Sequence, residues 1–426
     1  MRTRKKAMSN SKQMSIAILN MMGDSSFNTY NFGLAEGLGQ QGVEIDLYTC
    51  GEDSIFDELP SPQFHKRFNV LGSFLFRGNV RVRETAANSL GNTTGALETA
   101  RVQSWRRQRW MSVRRYLLTH ELLWHLRRSG HTLLWTQWPD MDPYLQNFWS
   151  WARRYGFRIV HTVHNVLPHE VRPGDRERAK KIYETADLLF LHSEQAKESL
   201  FAEFPLLDSR KVALHPIGLY TMVERVPRER STVRRRLMIP EGQPMLLACG
   251  LIRPYKNIDA ILVALSAPEF SHTILTIAGR ESGFSDSDPN DPLRRTRGIV
   301  EELGISDRVR LIPRFLPVRE MAALFEAADA LLIPYKEGYG SALLLMGMTF
   351  EKHVFTTPVG GALEYLEHYP NHTLVEGAEP DDLRSALRGM LLKIYPNAET
   401  PKADLSRFHW MSIGKQIKRA FDTAFS

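Results

Sequence analysis

The sequence has few cysteines and no long apolar run. Two of its 426 residues are cysteine, Cys50 and Cys249, and each ends a predicted strand in a spacing unlike that of a metal site. Because secreted chains more often pair their cysteines, we expect buried free thiols in a reducing compartment. No apolar run reaches the roughly 18 residues that a membrane-spanning helix needs. Contents of 43% apolar and 24% charged residues are ordinary for a soluble protein and exclude disorder or a collagen-like chain.

The beginning of the chain resembles a signal peptide only superficially. A basic tail over residues 1–6 precedes a short apolar segment that begins at Met14, but no small-residue cleavage site follows and Asp24 comes early. These features favour a first buried strand behind a basic tail. We therefore expect a cytoplasmic protein.

Short apolar runs alternate with helical patterns through most of the sequence, which is typical of parallel βαβ units. In the first half, strands are predicted at Ser15–Asn20, Val43–Thr49, Thr132–Gln137, Arg158–Val163 and Leu188–His192, with helices near Tyr30–Gln40, Pro143–Tyr155, Asp175–Thr185 and Glu194–Phe204. In the second half, strands are predicted at Pro244–Cys249, Thr273–Ala278, Val309–Ile312, Ala330–Ile333 and His353–Thr357, with helices near Asn257–Leu265, Pro292–Leu303, Pro317–Ala328 and Ser341–Phe350.

These patterns predict an α/β protein of two doubly wound, Rossmann-like domains that face each other across a cleft. We place the domains at residues 14–222 and 240–402, with a linker in the charged stretch Glu224–Arg236 and loops over Gly51–Gln103. A terminal segment, residues 403–426, has apolar residues at helical spacing from Trp410 onward, although Gly414 interrupts the pattern. Its length allows it to leave the second domain and pack elsewhere.

Three turns that follow strands of the second half hold candidate binding residues, since open parallel sheets bind ligands at the carboxyl ends of their strands. After the first of these strands, Arg253 and Lys256 either neutralise a diphosphate leaving group or are solvated surface charges. After another strand, Gly338 and Gly340 allow close backbone approach and Ser341 either caps a helix at a phosphate or belongs to an ordinary turn.

The third turn, Thr357-Pro-Val-Gly-Gly-Ala-Leu-Glu364, offers a carboxylate that would accept a hydrogen bond from a ribose or sugar hydroxyl. No set of His, Cys and Asp residues has zinc-like spacing, and no Asp-x-Asp motif follows a strand on this side. We therefore expect no metal ion, with the arginine, the lysine and the helix dipoles neutralising the diphosphate.

In order and spacing, these motifs resemble the GT-B glycosyltransferases of the group 1 superfamily, which is similar to glycosyltransferase family 4. The resemblance covers most of Leu246–Glu364 and rests on Gly250…Arg253-Pro-Tyr-Lys256, Ala278-Gly-Arg280, Val309-Arg-Leu-Ile-Pro-Arg-Phe315, Ala327-Ala-Asp-Ala-Leu-Leu-Ile-Pro-Tyr335, Glu337-Gly-Tyr-Gly340 and Val359-Gly-Gly361. In the first half it is looser and rests on Thr162-Val-His-Asn-Val-Leu-Pro-His-Glu170 and on the turn with Gly23 after the first strand. The terminal helix around Phe408-His-Trp410 looks like the family's last helix, which crosses back to the first domain.

The resemblance implies roles for individual residues. It implies that Arg253 and Lys256 contact the donor diphosphate and that the backbone of Gly340–Ala342 cradles its distal phosphate. It also implies that His164 and Glu337 face the transferred sugar. Further candidate donor-binding residues lie in the motifs that carry the resemblance, namely Gly23, Arg280, Gly338, Tyr339, Ser341 and Ala342. Glu364 is a candidate from its turn. The chain departs from the family at Leu345, where the family has a second glutamate.

Two features of the first half are candidates for the acceptor side. Asp24, in the turn after the first strand, is either a general base toward an acceptor hydroxyl or a plain turn aspartate. The net charge of +7 is concentrated at Arg101–Arg128, where eight arginines alternate with aromatic and aliphatic residues against one acid, Glu121. This pattern suits a helix that lies on an anionic membrane surface, although it also suits a core-packed helix with a solvated arginine face. A nucleic-acid patch is a third alternative, and we expect no nucleic-acid partner.

The sequence thus predicts a metal-independent hexosyltransferase whose substrate is a UDP- or GDP-sugar and which has no separate cofactor. The predicted acceptor is a glycan or a lipid-linked glycan in polysaccharide assembly, reached at the inner face of the plasma membrane. Two alternatives stay open, a nucleotide-sugar epimerase of the same architecture and a non-catalytic scaffold that binds a nucleotide sugar, the latter motivated by Leu345. The base, the sugar and the stereochemistry are not determined by the sequence.

Overall fold

The computed structural model describes residues 14–20, 25–49, 65–66, 116–117, 119–137, 147–168, 171–223, 225, 229–240, 242–280, 291–338, 342–394 and 402–426. Within these residues, two parallel β-sheets form in succession along the chain, and helices connect their strands. The Arg101–Arg115 part of the basic stretch lies outside the described residues, as do Cys50 and most of Gly51–Gln103.

The first sheet has seven parallel strands in the order β3-β2-β1-β4-β5-β6-β7. Its strands are β1 Ser15–Asn20, β2 Glu44–Thr49, β3 His65–Lys66, β4 Leu133–Thr136, β5 Arg158–Thr162, β6 Leu188–Leu191 and β7 Val212–Leu214. Its helices are α1 Ser25–Gly39, α2 over 119–128, α3 Phe148–Arg154, α4 Asp175–Thr185 and α5 Glu194–Glu203. Residues 16–19 of the central β1 are 0% exposed, as expected for a strand covered on both faces.

The second sheet has six parallel strands in the order β10-β9-β8-β11-β12-β13. Its strands are β8 Met245–Cys249, β9 Ile274–Ala278, β10 Val309–Ile312, β11 Ala330–Ile333, β12 His353–Thr356 and β13 His372–Leu374. The helices around it are α6 Glu229–Arg236, α7 Ile258–Leu265, α8 Pro292–Glu302, α9 Val318–Ala327, α10 Ala342–Thr349, α11 Ala362–Leu366 and α12 Pro380–Ile394. The strand order reverses between β8 and β11, as it does between β1 and β4, and ligands of such sheets bind at this switch point.

The last helix, α13 Trp410–Phe425, packs against α1 of the first half. Its buried residues Trp410, Ile413, Ile417 and Phe421 form one helical stripe. Gly414 does not break this helix but lies at its contact with α1, where a Cβ atom would be 2.2 Å from the carbonyl oxygen of Gly37. A glycine in each helix therefore lets the two backbones approach closely.

Most predicted strands and helices agree with the structure to within two residues, and the α/β class of two doubly wound units is confirmed. The charged stretch Glu224–Arg236, in which a linker is predicted, includes the helix α6 from Glu229 onward. Arg230 holds this helix in place by donating to the carbonyls of Glu326, Ala327 and Ala328 at 3.0–3.2 Å, at the C-terminal end of α9. Cations are favoured at that end of a helix. The pattern also missed the short strands β7 and β13 and the helices α11 and α12.

Candidate functional site

The turns after β8 and β9 are held together by two glycines. Gly250 has a φ of +89°, and its N–H donates to the carbonyl of Ala278 at 2.9 Å. A Cβ atom on Gly279 would lie 2.0 Å from the carbonyl oxygen of Gly250, and one on Gly250 would lie 2.7 Å from Nζ of Lys256. Larger residues at either position would therefore separate the two strand ends or displace the lysine amine.

Lys256 places a buried cation under this turn. Its Nζ donates to the carbonyl of Cys249 at 2.7 Å and lies 5.5 Å from the ring centroid of Tyr335. Burial lowers the pKa of Lys256 to about 8, because removal from water disfavours the charged amine. The same burial raises the pKa of the neighbouring Cys249 thiol to about 12, which keeps it protonated and free. A buried ammonium at a strand end is suited to hold a phosphate oxygen.

Arg253 and Arg280 lie at the same edge of the sheet as Lys256. The N–H of Lys256 donates to the carbonyl of Arg253 at 3.1 Å, and the N–H of Ile252 donates to the carbonyl of Arg280 at 3.0 Å. Arg253 is partly exposed, whereas Arg280 is exposed with its guanidinium 6.0 Å from the ring centroid of Phe315. The structure therefore places these three basic residues, which the sequence singled out, in adjoining turns at one edge of the sheet.

The turn after β11 adjoins this edge. The N–H of Lys336 donates to the carbonyl of Tyr255 at 2.9 Å, which ties this turn to the one after β8. Glu337 and Ala342 are exposed and Gly338 is partly buried. A narrow pocket separates the ends of β11 and β12 and is lined by Ile333, Tyr335, Gly338, Leu344, Thr356, Val359, Gly360 and Ala362. Leu345, in contrast, is 0% exposed and packs in the core.

Glu364 contacts the first half of the chain. Its carboxylate accepts hydrogen bonds from the backbone N–H groups of Glu194 and Gln195 at 3.0 and 3.2 Å, at the N-terminus of α5. The first turn of a helix is where a carboxylate is favoured. Gly361 packs so closely on Ser193 that a Cβ atom would lie 2.6 Å from the serine Cβ. In this arrangement Glu364 joins the two halves, and its role toward a ribose or sugar hydroxyl stays a prediction.

On the facing side, histidines follow three neighbouring strands. His164 comes after β5, His192 after β6 and His215 after β7. Nε2 of His192 lies 3.2 Å from Nδ1 of His164, and Nε2 of His164 lies 3.1 Å from the amide oxygen of Gln137 at the end of β4. Tyr30 of α1 lies 3.1 Å from Nε2 of His215. The structure therefore places His164 between His192 and Gln137 in a chain of hydrogen bonds.

Burial keeps this chain uncharged. It lowers the pKa of His192 to about 4 and that of His215 to about 3. The pKa of His164 is also well below its ordinary value, first because of burial and then because of the nearby histidines. His192 and His215 are 7% and 1% exposed, while His164 is partly exposed.

Sequence reasoning found His164 and missed Gln137, His192, His215 and Tyr30. A signal for the histidines was present, since each strand from β5 to β7 is followed within two residues by a histidine. Tyr30 carried no such signal, because its partner is 185 residues away. The predicted residues Gly23, Asp24, Tyr339, Gly340 and Ser341 lie outside the described residues.

The described part of the basic stretch forms α2, which has two distinct faces. Leu122, Leu123 and Leu126 are buried against the sheet, whereas Trp124 is 53% exposed. Arg128 is exposed, and its guanidinium lies 5.2 Å from the ring centroid of Trp124. The exposed face therefore carries both an aromatic ring and cations.

Two general searches cover the described residues only. Among them, no cluster of three or more His, Cys, Asp or Glu side chains is arranged to hold a metal ion, and the histidine chain bonds to carbonyl and amide groups instead. None of the helices in this part of the chain combines the length and apolarity needed to cross a membrane.

Comparison with known proteins agrees with the geometry. Residues 229–398 match the family model described as glycosyl transferases group 1. The D-inositol 3-phosphate glycosyltransferase of Thermobispora bispora is 27% identical over 57% of this chain and 59% of its own length, so the chain spans about three fifths of that relative. The protein of the same name from Corynebacterium jeikeium is 23% identical over 93% of this chain and 91% of its own.

Solved structures show the fold. Anabaena HepE, in complex with UDP-glucose, has a TM-score of 0.68 at 14% identity and covers 96% of this chain and 100% of its own. The catalytic domain of starch synthase IV from Arabidopsis thaliana, bound to ADP and acarbose, has a TM-score of 0.69 at 13% identity and covers 97% and 99%. The two-domain GT-B fold that the sequence predicted is confirmed.

Proposed function

We propose that this chain, which matches the family model of glycosyl transferases group 1 over residues 229–398 and has the GT-B fold, transfers a sugar from a nucleoside diphosphate sugar to an acceptor hydroxyl. The observation that carries the proposal is the cluster of Lys256, Arg253 and Arg280 at the carboxyl edge of the second sheet. A nucleoside diphosphate donor is supported by the structural relatives, which were solved in complex with UDP, UDP-glucose or ADP.

In the proposed mechanism, the cations stabilise the charge that develops on the diphosphate as the bond to the sugar breaks. Lys256 acts from a buried position, where a charge interaction is stronger than in water. His164 faces the transferred sugar from the first half, and closure of the two halves excludes water. Glu337 approaches the same sugar, and Asp24 accepts the proton of the acceptor hydroxyl if the reaction inverts. The reaction as proposed has no metal ion.

For the acceptor, we propose a glycan or lipid-linked glycan at an anionic membrane surface. The exposed Tyr116, Leu117 and Trp124, the last in contact with Arg128, support this, because aromatic rings and cations together favour the lipid headgroup region. The curated relatives are named for a different acceptor, D-inositol 3-phosphate, and a soluble phosphorylated polyol is therefore the acceptor to compare.

The first experiment is a thermal-shift screen with nucleoside diphosphates and their sugars, followed by measurement of diphosphate release with and without acceptor. We expect stabilisation by one base and acceptor-dependent release. Arg253→Ala and Lys256→Met are expected to abolish most of the shift, whereas Arg388→Ala, an exposed arginine on α12, serves as the control. Binding without turnover under every acceptor would instead support the scaffold alternative, for which the buried Leu345 argues.

A further inference from the structure

Asn257 turns the chain directly after Lys256. It has a φ of +58°, in the left-handed region that residues other than glycine rarely adopt and that asparagine tolerates better than most. The short 3-10 helix Pro254–Lys256 ends here and α7 begins at the next residue. The backbone N–H of Asn257 donates to the carbonyl of Pro254 at 3.1 Å, which closes the turn. Asn257 is therefore the corner between the lysine and the following helix.

The side chain of Asn257 fastens this corner to a distant part of the second half. Its Nδ2 donates to the carbonyl of Ala378 at 2.7 Å, in the segment between β13 and α12. Two strands, β11 and β12, separate β13 from β8 in the sheet, and the two bonded residues are 121 positions apart in sequence. Asn257 is 4% exposed, so this hydrogen bond is largely removed from water.

The turn that carries Lys256 is thus held from two directions. On one side the N–H of Lys336 donates to the carbonyl of Tyr255, and on the other the Asn257 amide binds the segment after β13. Between these two contacts, Nζ of Lys256 reaches the carbonyl of Cys249 at 2.7 Å. Because the lysine is bonded to the corner residue through the main chain, a shift of the corner would move the amine out of this place.

We propose that Asn257 is a positioning residue, whose amide holds the corner of the turn and so keeps the Lys256 amine in the water-excluded place from which it attracts the donor diphosphate. The contact with the diphosphate rests on the proposed function, whereas the position of the amine does not. A charge that is fixed in a dry site before the ligand arrives stabilises it more than a charge in water does.

Hydration of the amine distinguishes this role from a general effect on stability. Burial lowers the pKa of Lys256 to about 8, and the titratable or charged groups around the turn are Cys249 on β8, Tyr335 at the end of β11 and Arg253 in the turn itself. Asn257 carries no charge, so its replacement by glycine leaves these charges unchanged. If the corner loosens and water reaches the amine, the pKa of Lys256 should rise toward its ordinary 10.5.

The test is Asn257→Gly in the full-length protein. Glycine adopts the left-handed conformation without strain, so this variant removes the amide and keeps the backbone. NMR titration of isotope-labelled lysine side chains measures the pKa of Lys256, with Lys256→Met used to assign its signal, and we expect this pKa to rise. We also expect the affinity for UDP, GDP or ADP, whichever the wild type binds best, to fall about 2- to 10-fold at pH 7, the effect of one hydrogen bond. The decline of affinity with pH should move to higher pH.

Asn371→Gly is the matched control. This asparagine also bonds through its side chain, to His353 at 2.8 Å, but it lies before β13 at the opposite edge of the sheet, so the pKa of Lys256 and the affinity should not change. An unchanged pKa of Lys256 in Asn257→Gly, an affinity that falls by the same factor at every pH, or an equal shift in Asn371→Gly would overturn the proposal. If the wild type binds none of the three diphosphates, the proposed function fails, but the lysine titration still decides whether Asn257 positions the amine.

Discussion

At the scale of single residues, burial changes the chemistry of the Lys256 amine. The lysine follows a strand of the second sheet, and the missing Cβ of Gly250 leaves the space that its amine occupies. There its Nζ is bonded to the carbonyl of Cys249 and is largely removed from water. An amine in this setting titrates near the physiological range, which an exposed lysine does not.

The lowered pKa of Lys256, about 8, predicts a pH dependence. Below pH 8 the amine is protonated and attracts the donor diphosphate, and above it the charge is lost. We expect the affinity for a nucleoside diphosphate to fall as pH rises through 8. The pKa of Lys256 in the folded state, about 8, lies below the ordinary 10.5, so the unfolded state binds more protons between these two pH values. This group therefore makes the free energy of unfolding rise as the pH increases from 8 to 10.5.

Isothermal titration across this range measures the affinity. The Lys256→Met variant is expected to bind the diphosphate about 10- to 100-fold more weakly at pH 7. It is also expected to lose the fall in affinity as the pH rises through 8. Lys352, whose pKa is also lowered to about 8, contacts the backbone of Glu326 away from the donor-side edge, so Lys352→Met should keep the wild-type profile. A decline that persists unchanged in Lys256→Met would show that another group is responsible.

At the scale of elements, α13 is held in a slot formed by glycines. The indole of Trp410 lies where a Cβ on Gly33 or Gly218 would be, at 1.9 and 2.3 Å, and its Nε1 donates to the carbonyl of Leu219 at 2.8 Å. The same ring contacts Tyr30, with ring centroids 5.4 Å apart. Trp410 of the last helix therefore packs against Tyr30, the residue that also contacts Nε2 of His215.

We predict that Gly33→Ala destabilises the protein, because the added methyl group would overlap the Trp410 ring. Overpacking of this kind costs about 1–3 kcal/mol. Gly389→Ala is the matched control, since Gly389 lies in α12 with nothing within 4 Å of the added Cβ. That change should stabilise by about 0.5–1 kcal/mol through helix propensity. Chemical denaturation followed by circular dichroism measures the free energy of unfolding of both variants. Equal changes in Gly33→Ala and Gly389→Ala would contradict the close packing of Trp410 on Gly33.

The exposed face of α2 gives a prediction about membranes. We expect the protein to sediment with vesicles that contain phosphatidylserine and not with phosphatidylcholine alone. Trp124→Ala combined with Arg128→Ala should weaken this binding about 5- to 10-fold, since a single nearby cation contributes about 1 kcal/mol. Arg297→Ala with Leu392→Ala, two exposed residues on other helices, is the matched control. Equal sedimentation with both kinds of vesicle would refute the membrane proposal.

At the scale of the whole molecule, the two halves meet at the carboxyl ends of β6, β7 and β12. Glu364 binds the N-terminus of α5, and Tyr365 bonds to backbone groups of His192 and Ile217. One short helix, α11, thus makes polar contacts with two turns of the other half. Lys256 lies at the carboxyl edge of the second sheet, and His164, His192 and His215 lie at the carboxyl edge of the first.

We predict that Tyr365→Phe loosens this contact. It leaves the carbonyl of His192 and the N–H of Ile217 without the phenol, and unpaired buried groups cost about 1–3 kcal/mol. Tyr369→Phe is the control, because its hydroxyl donates to the carbonyl of Lys352 within the same half. Small-angle scattering should show a larger radius of gyration only for Tyr365→Phe, and no difference between the variants would contradict the prediction.

The sequence by itself determined the two parallel sheets and their helices, because buried strands and amphipathic helices have periods that can be read locally. It also placed Arg253, Lys256 and Arg280 after strands of one sheet, where topology alone brings them to one edge. The short β13 and α11 were missed because their few residues carry no clear period. The charged composition of α6 concealed a helix whose arginines bind backbone carbonyls far along the chain.

Only the tertiary structure decided which groups meet across the two halves. Glu364 was assigned to a ligand from its turn alone, yet in the folded chain its carboxylate meets a helix N-terminus 170 residues away in sequence. Tyr30, His192 and His215 form one chain because three strand ends and a helix converge, which no local pattern records. Periodicity is a property of neighbouring residues, whereas the hydrogen bonds of His164 are made with groups that only folding brings together.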